Sequence, residues 1–118
     1  EVRMVSPTDF IKDYVSLHYA EHNILDQISE ISYYSKQYLS SRFKSDTGLT
    51  FKSYLQQVRC GAAEHLMNCT NMSIPEISEA VGYNDIKYFQ NIFKKHNGVS
   101  PKQLKMYFNK INNRKNES

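Results

Sequence analysis

Gln37, Ser40, Ser41 and Lys44 recur in this sequence at i, i+3, i+4 and i+7, and Lys87, Gln90, Asn91 and Lys94 recur at the same intervals fifty residues later. On a helix that spacing gathers each set on one face. Amide, hydroxyl and ammonium groups so arranged are suited to recognition: they exchange hydrogen bonds with the edges of bases and attract anions. Ile86, just ahead of the second set, offers the apolar surface that a thymine methyl group meets. Gln37, Ser40, Ser41, Ile86, Lys87, Gln90 and Asn91 are therefore the candidate base-reading side chains. Lys36, Lys44, Lys94 and Lys95 are the candidate phosphate-binding ones, with the nearby backbone N–H groups.

The elements that must hold these residues are legible around them. Ser73 and Glu76 have the S-x-x-E spacing of a capping box, and Pro75 falls in the first turn, where a missing N–H costs nothing. Ile77, Ala80 and Val81 follow at helical spacing, and Gly82 supplies a stop that accepts positive φ. Tyr88, Phe89, Ile92 and Phe93 then form an apolar stripe on a second helix, which Gly98 ends before Ser100-Pro101 opens another. Short helix, glycine turn and second helix spell a helix-turn-helix, whose second helix lies in a DNA major groove.

The same phrase occurs twice. Residues 38–52, YLSSRFKSDTGLTFK, align without a gap on residues 88–102, YFQNIFKKHNGVSPK. Tyr38/Tyr88, Phe43/Phe93, Lys44/Lys94, Gly48/Gly98 and Lys52/Lys102 are identical. Upstream, Ile28-Ser29-Glu30 matches Ile77-Ser78-Glu79, with the second turn one residue longer. Two copies are too few for a solenoid and fit two helix-turn-helix units.

The remaining elements follow in order. Ser6 and Pro7 open a scaffold helix carrying Phe10, Ile11, Tyr14, Val15 and Leu17 through about residue 22. Asn23 and Asp26 are caps for a helix from Leu25 to Ser32, with Leu25, Ile28 and Ile31 inward and Ser29 small enough for a close crossing. Ser35 caps the first recognition helix, Lys36 to Asp46, buried through Leu39 and Phe43. Thr50 caps a long helix from Phe51 to about Cys69, whose stripe of Phe51, Tyr54, Leu55, Val58, Ala62, Leu66 and Met67 is wide enough for two lobes. Gly61 inside it costs about 1 kcal/mol relative to alanine, which suggests close packing or a bend. A final helix carries Leu104, Met106, Tyr107, Phe108 and Ile111, and residues 112–118 are polar and frayed. The fold class is all-α, with about seven helices: a first lobe over 8–50, a connecting helix over 51–69, a second lobe over 73–112 and a tail over 113–118.

Composition narrows the function. The chain has 118 residues and 40% hydrophobic content, enough for one modest domain or two small lobes. No apolar run approaches membrane-spanning length, so no membrane partner is expected. No signal peptide is visible and the chain begins at Glu1, which suggests an excerpt of a longer protein. Cys60 and Cys69 point to reduced thiols in a cytoplasmic protein. His18 and His22 have i, i+4 spacing but no third ligand, so no metal site is assigned, and no cofactor is expected. Charge is uneven: residues 1–34 carry net −4 and residues 81–118 net +6. The basic end suits a polyanionic duplex.

The stretches IPEISEAVGYNDIKYFQNIFKKHNGVSP and YLQQVRCGAAEHLM resemble the DNA-binding domain of the AraC/XylS family of bacterial transcription regulators, and the likeness covers roughly residues 8–108. It implies two readers in adjacent major grooves, held at a fixed separation by the long helix, in which Arg59 and Ala63 match the family's R-x-x-x-A pattern. Arg59 is expected to be a structural ion-pair partner more than a base contact. Family members usually join this domain to a ligand-sensing or dimerisation domain, and RNA polymerase is a further possible partner. Three departures stand out. Tyr33 replaces the first turn's glycine, Ser41 and Asn91 stand where arginine is frequent, and Phe51 replaces the proline kept at Pro101. A first turn that is strained or differently shaped is expected, and no relative's target sequence carries over.

A helical protein-docking module is the alternative, but it needs an apolar outward groove where these faces are polar. An enzyme is not expected: the sequence has no glycine-rich phosphate loop, CxxC pair or nucleophile–base grouping with motif support, and no catalytic residue is assigned.

Overall fold

The computed structural model describes residues 5–117. Among them are seven helices and no strand: α1 (Pro7–His18), α2 (Ile24–Ser32), α3 (Lys36–Thr47), α4 (Phe51–Cys69), α5 (Ile74–Ala80), α6 (Ile86–Asn97) and α7 (Pro101–Glu117). They fall into two compact units that divide between Val58 and Arg59, within α4.

In the first unit α3 packs on α1 and α2. Ile11 and Val15 of α1, Ile24 and Ile28 of α2, and Leu39 and Phe43 of α3 form its buried core, closed by Phe51, Tyr54, Leu55 and Val58. Ser6 caps α1 by accepting the Asp9 N–H at 3.0 Å. The helix stops at His18, short of the expected residue 22. The Glu21 N–H turns back to the His18 carbonyl, and Asn23 adopts a left-handed conformation (φ 56°) that an α-helix cannot continue through. Asn23 thus caps α2 by position alone, without a side-chain hydrogen bond. Ile31 was expected inward and is 54% exposed. It extends the α2 stripe into the last turn, whereas Ile24 and Ile28 are the α2 residues that join the core with Leu39 and Phe43.

In the second unit α6 packs against α5 and α7. The capping box forms at the start of α5. Ser73 N–H donates to Glu76 Oε1 at 2.8 Å, and Glu76 N–H donates to Ser73 Oγ at 3.3 Å. That backbone bond is the leading reason the Glu76 carboxyl lies below its ordinary range. A seven-residue helix needs such support, because too few intrahelical bonds form to offset nucleation. Ile77, Val81, Phe89 and Phe93 are fully buried, each side chain contributing about 1.5–3 kcal/mol by removal from water. Ser100 and Gln103 cap α7 reciprocally, at 3.0 and 3.2 Å. Lys105 Nζ ties α7 to the Met72 carbonyl at 2.7 Å.

Three other expectations are corrected. Gly61 is exposed and a Cβ there would meet nothing within 4 Å, so close packing does not explain it. Tyr88 is not a core member: its ring lies edge-on to Tyr83, 5.8 Å between centroids, and 42% of the residue stays exposed. The helix α7 continues to Glu117 through the segment expected to fray; Asn112 donates to the Asn68 carbonyl there, and Ser118 lies outside the described residues.

Candidate nucleic-acid interface

Each unit presents one polar helix face bounded by caps of the same design. Ser35 Oγ accepts the Tyr38 N–H at 3.0 Å at the start of α3, and Asp85 Oδ1 accepts the Tyr88 N–H at 3.1 Å at the start of α6. Both helices end on a left-handed glycine, Gly48 (φ 79°) and Gly98 (φ 82°), whose N–H groups return to the Lys44 and Lys94 carbonyls at 2.8 Å. Leu39 and Phe43 bury one side of α3, and Phe89, Ile92 and Phe93 bury one side of α6. The opposite sides therefore face solvent by geometry alone.

On α3, Gln37, Ser41 and Lys44 are exposed and Ser40 is half-buried. Ser40, Ser41 and Lys44 line an open cleft of about 720 Å³ together with Leu25, Phe51 and Lys52. Lys36 is exposed too, but its Nζ is 2.6 Å from Asp26 Oδ1, so its charge is shared with a carboxylate. On α6, Ile86, Lys87, Gln90, Asn91, Lys94 and Lys95 are all exposed, and His96 is half-buried. Every candidate reader thus sits on the outward face of α3 or α6, and none is in the core.

Several features were missed in the sequence. Asp85 is the α6 cap, and the spacing Asp85-x-x-Tyr88 mirrors Ser35-x-x-Tyr38, a signal that was available. Arg42 Nε donates to Asp46 Oδ2 at 3.0 Å, a pair that i, i+4 spacing advertises. Hydrogen bonding from Thr8 first, and then Arg42, holds the Asp46 carboxyl below its usual range. The Arg59 guanidinium lies over the Tyr83 ring, 5.0 Å from its centroid, an aromatic contact within the second unit. His18 stacks on Tyr14 and bonds to Glu21, and among the described residues no group of three His, Cys, Asp or Glu side chains could hold a metal.

The two turns also share their construction. Tyr33 and Gly82 both have positive φ, 65° and 106°. Ser29 Oγ donates to the Tyr34 carbonyl and Ser78 Oγ donates to the Tyr83 carbonyl. A family model described as a helix-turn-helix domain matches residues 28–106, which spans both turns and both recognition helices. The chain belongs to the AraC-type helix-turn-helix family.

As a member of that family the chain is a DNA-binding module of transcription regulation. It is 32% identical over 97 residues to the bifunctional transcriptional activator/DNA repair enzyme AdaA of Bacillus subtilis, covering 82% of this chain and 46% of that protein. It is 33% identical over 79 residues to the transcriptional activator RhaR of Escherichia coli, covering 67% of this chain and 28% of RhaR. The chain thus spans half or less of the length of these curated relatives. The C-terminal domain of the response regulator AraT from Geobacillus stearothermophilus is similar in structure, with a TM-score of 0.82 at 32% identity, over 90% of this chain and 88% of that one. The C-terminal domain of the response regulator yesN from Fusobacterium nucleatum gives 0.76 at 35% identity, over 82% and 95%. The fold is shared with the DNA-binding domain of AdpA, solved with a target DNA, at a TM-score of 0.79 and 20% identity, over 88% and 94%. Among the described residues no helix is long and apolar enough to cross a membrane.

Proposed function

We propose that this domain binds a specific duplex sequence by laying α3 and α6 in successive major grooves, within a longer cytoplasmic regulator of bacterial transcription. Gln37, Ser40 and Ser41 read bases from the first unit, and Ile86, Lys87, Gln90 and Asn91 from the second. Lys36, Lys44, Lys94 and Lys95 bind phosphates. The remainder of the regulator carries a sensing or dimerisation domain, and RNA polymerase is a partner of the whole protein. The domain itself is a binding module and not an enzyme.

One observation carries the reading. The same polar and basic face occurs twice, on helices with matching N-caps and glycine C-caps, and in both it is the exposed side. A core or a docking groove would not need Gln, Ser, Asn and Lys at matched positions, whereas base edges and phosphates do.

Selection from a randomised duplex pool supplies the target, and titrations against it at several salt concentrations supply the test. Lys94→Ala weakens every duplex alike and lowers the salt slope by about one unit. Asn91→Ala or Gln90→Ala relaxes preference at one or two base pairs, each worth about 1–3 kcal/mol. A single chain protects two non-identical elements about one helical turn apart. Inserting about 5 bp between them turns one element by roughly half a turn and drops affinity toward that of one unit. Sequence-blind losses at both Lys94 and Asn91 would refute base reading by α6. An insertion without effect would refute the use of two grooves.

A further inference from the structure

Tyr38, Arg42 and Asp46 stand at i, i+4 and i+8 on α3, a single line along one flank of the helix. Asp46 Oδ2 accepts from Thr8 Oγ1 at 2.6 Å and from Arg42 Nε at 3.0 Å. Arg42 Nη1 in turn donates to the Tyr38 hydroxyl at 3.3 Å. Thr8, on α1, is only 5% exposed, so this line is anchored in buried structure and ends on a phenol that is 41% exposed. The Tyr34 ring closes on Tyr38 with centroids 4.9 Å apart. The Tyr38 side chain is therefore held at both ring and hydroxyl.

Tyr38 precedes Ser41 by three residues, which places it about 60° round the helix from a proposed base reader. When a helix lies in a major groove, its flanks face the sugar–phosphate walls. We infer that the Tyr38 hydroxyl is a phosphodiester-binding group of the first unit, with Arg42 as its positioning residue. The inference rests on α3 entering a major groove. The Arg42 N–H occupies a lone pair of the hydroxyl, so the hydroxyl proton points away from the guanidinium, as donation to a phosphate oxygen requires. Asp46 balances the Arg42 charge, leaving the phenol as the donor. A side chain already fixed also loses less freedom on binding. The second unit carries the same phenol with a different residue at the position of Arg42. Tyr88 is similarly exposed, but Ile92, which has no N–H on its side chain, stands where Arg42 does.

The test is a double-mutant cycle read by duplex affinity and salt dependence, with melting measured for every variant. Tyr38→Phe keeps the ring, removes the O–H and is expected to weaken selected and random duplexes alike by about tenfold. Its salt slope stays that of the parent, because a neutral donor displaces no counterion. Arg42→Met is expected to weaken binding in the parent background and to have little further effect beside Tyr38→Phe. If Arg42→Met melts out, Arg42→Lys, which keeps the charge but not the planar fork, replaces it with the same expectation. Parent-like binding by a folded Tyr38→Phe overturns the inference. So does a slope lowered by about one unit in Arg42→Met with an additive cycle, which would make Arg42 itself the phosphate ligand. A parent that binds no duplex overturns the DNA reading first, and this inference with it.

Discussion

Ser29 and Ser78 make the same bond in the two turns: each hydroxyl donates to the carbonyl five residues on, Tyr34 at 2.6 Å and Tyr83 at 3.2 Å. That carbonyl lies just past the end of α2 in one turn and of α5 in the other, where no intrahelical donor reaches it. The serine therefore fixes the angle at which the chain leaves the turn and enters the recognition helix. The Ser78 bond is buried and the Ser29 bond is exposed.

Ser78→Ala should accordingly cost about 1–3 kcal/mol, because it strands a buried carbonyl. Ser29→Ala should cost about 1 kcal/mol or less, since water can replace the hydroxyl. Thermal melts of the two variants check the order; equal losses would mean that burial does not distinguish the turns.

The first turn carries strain that the second avoids. Tyr33 holds φ 65° while 94% exposed, so its side chain gains nothing from packing. Left-handed backbone costs a non-glycine residue about 1–2 kcal/mol. Against this, glycine gives back about 0.5–1 kcal/mol through the freedom of the unfolded chain. Tyr33→Gly should thus stabilise by roughly 0.5–1 kcal/mol. Gly82→Ala, at φ 106°, should destabilise. Denaturant midpoints of the pair should move in opposite directions.

Phe43 and Phe93 are fully buried at equivalent positions of α3 and α6. Replacing either with alanine should cost about 3–5 kcal/mol through lost burial and the cavity left behind. Small units have little stability to spare, so DNA binding should fall together with the melting signal.

The two cysteines should differ sharply toward a thiol reagent. Cys69 is exposed, while Cys60 is buried and burial pushes its thiol up to about 11. At pH 8 one thiol per chain should react quickly and the second only with denaturant; rapid labelling of both would show that the Cys60 environment opens readily.

Acid should loosen the first unit through Asp46. Its carboxyl lies below the usual range because the ionised form accepts from Thr8 and Arg42. The stabilisation is fully present above the unfolded value of about 3.9 and is lost as pH falls through the lowered folded value. Asp46→Asn should remove that part of the acid dependence while leaving the profile above pH 5 flat, as melts from pH 5 to pH 2 would reveal.

Much of this was legible in the sequence because it depended on local chemistry. Ser73-x-x-Glu76, Ser35, Thr50 and the glycines at 48 and 98 act within a few residues of themselves, and the helices start and stop where those residues direct. Leu39, Phe43, Phe89 and Phe93 were legible as core because the repeat states the inward face twice. Two misses, the Asp85 cap and the Arg42–Asp46 pair, were local signals; the others involve partners remote in sequence or the reach of neighbouring helices. Nothing local to Ile31 says that the core stops short of it, and Thr8 bonds a carboxylate thirty-eight residues away. Tyr83 draws Arg59 over its ring across a shorter but still long gap in sequence. Tyr33 was legible as a departure because it stands where Gly82 stands in the second turn, and the structure resolves it as strain through its positive φ.

The single extra residue ahead of α6 has a consequence for grafting. Ser35 to Thr50 and Asp85 to Ser100 are segments of equal length running from one N-cap to the next. A cassette cut at those caps transfers one reading surface onto the other framework in register. A cut made upstream, inside the turn, carries Asn84 or omits it and so changes the length of the turn by one residue. One position must stay behind even in a clean cassette: Arg42 carries its partner Asp46 with it but leaves the Thr8 hydroxyl that holds Asp46 on the old framework, and Ile92 belongs to a framework that buries it. The two reading surfaces are interchangeable in outline, then, while each keeps a private lock on its own framework.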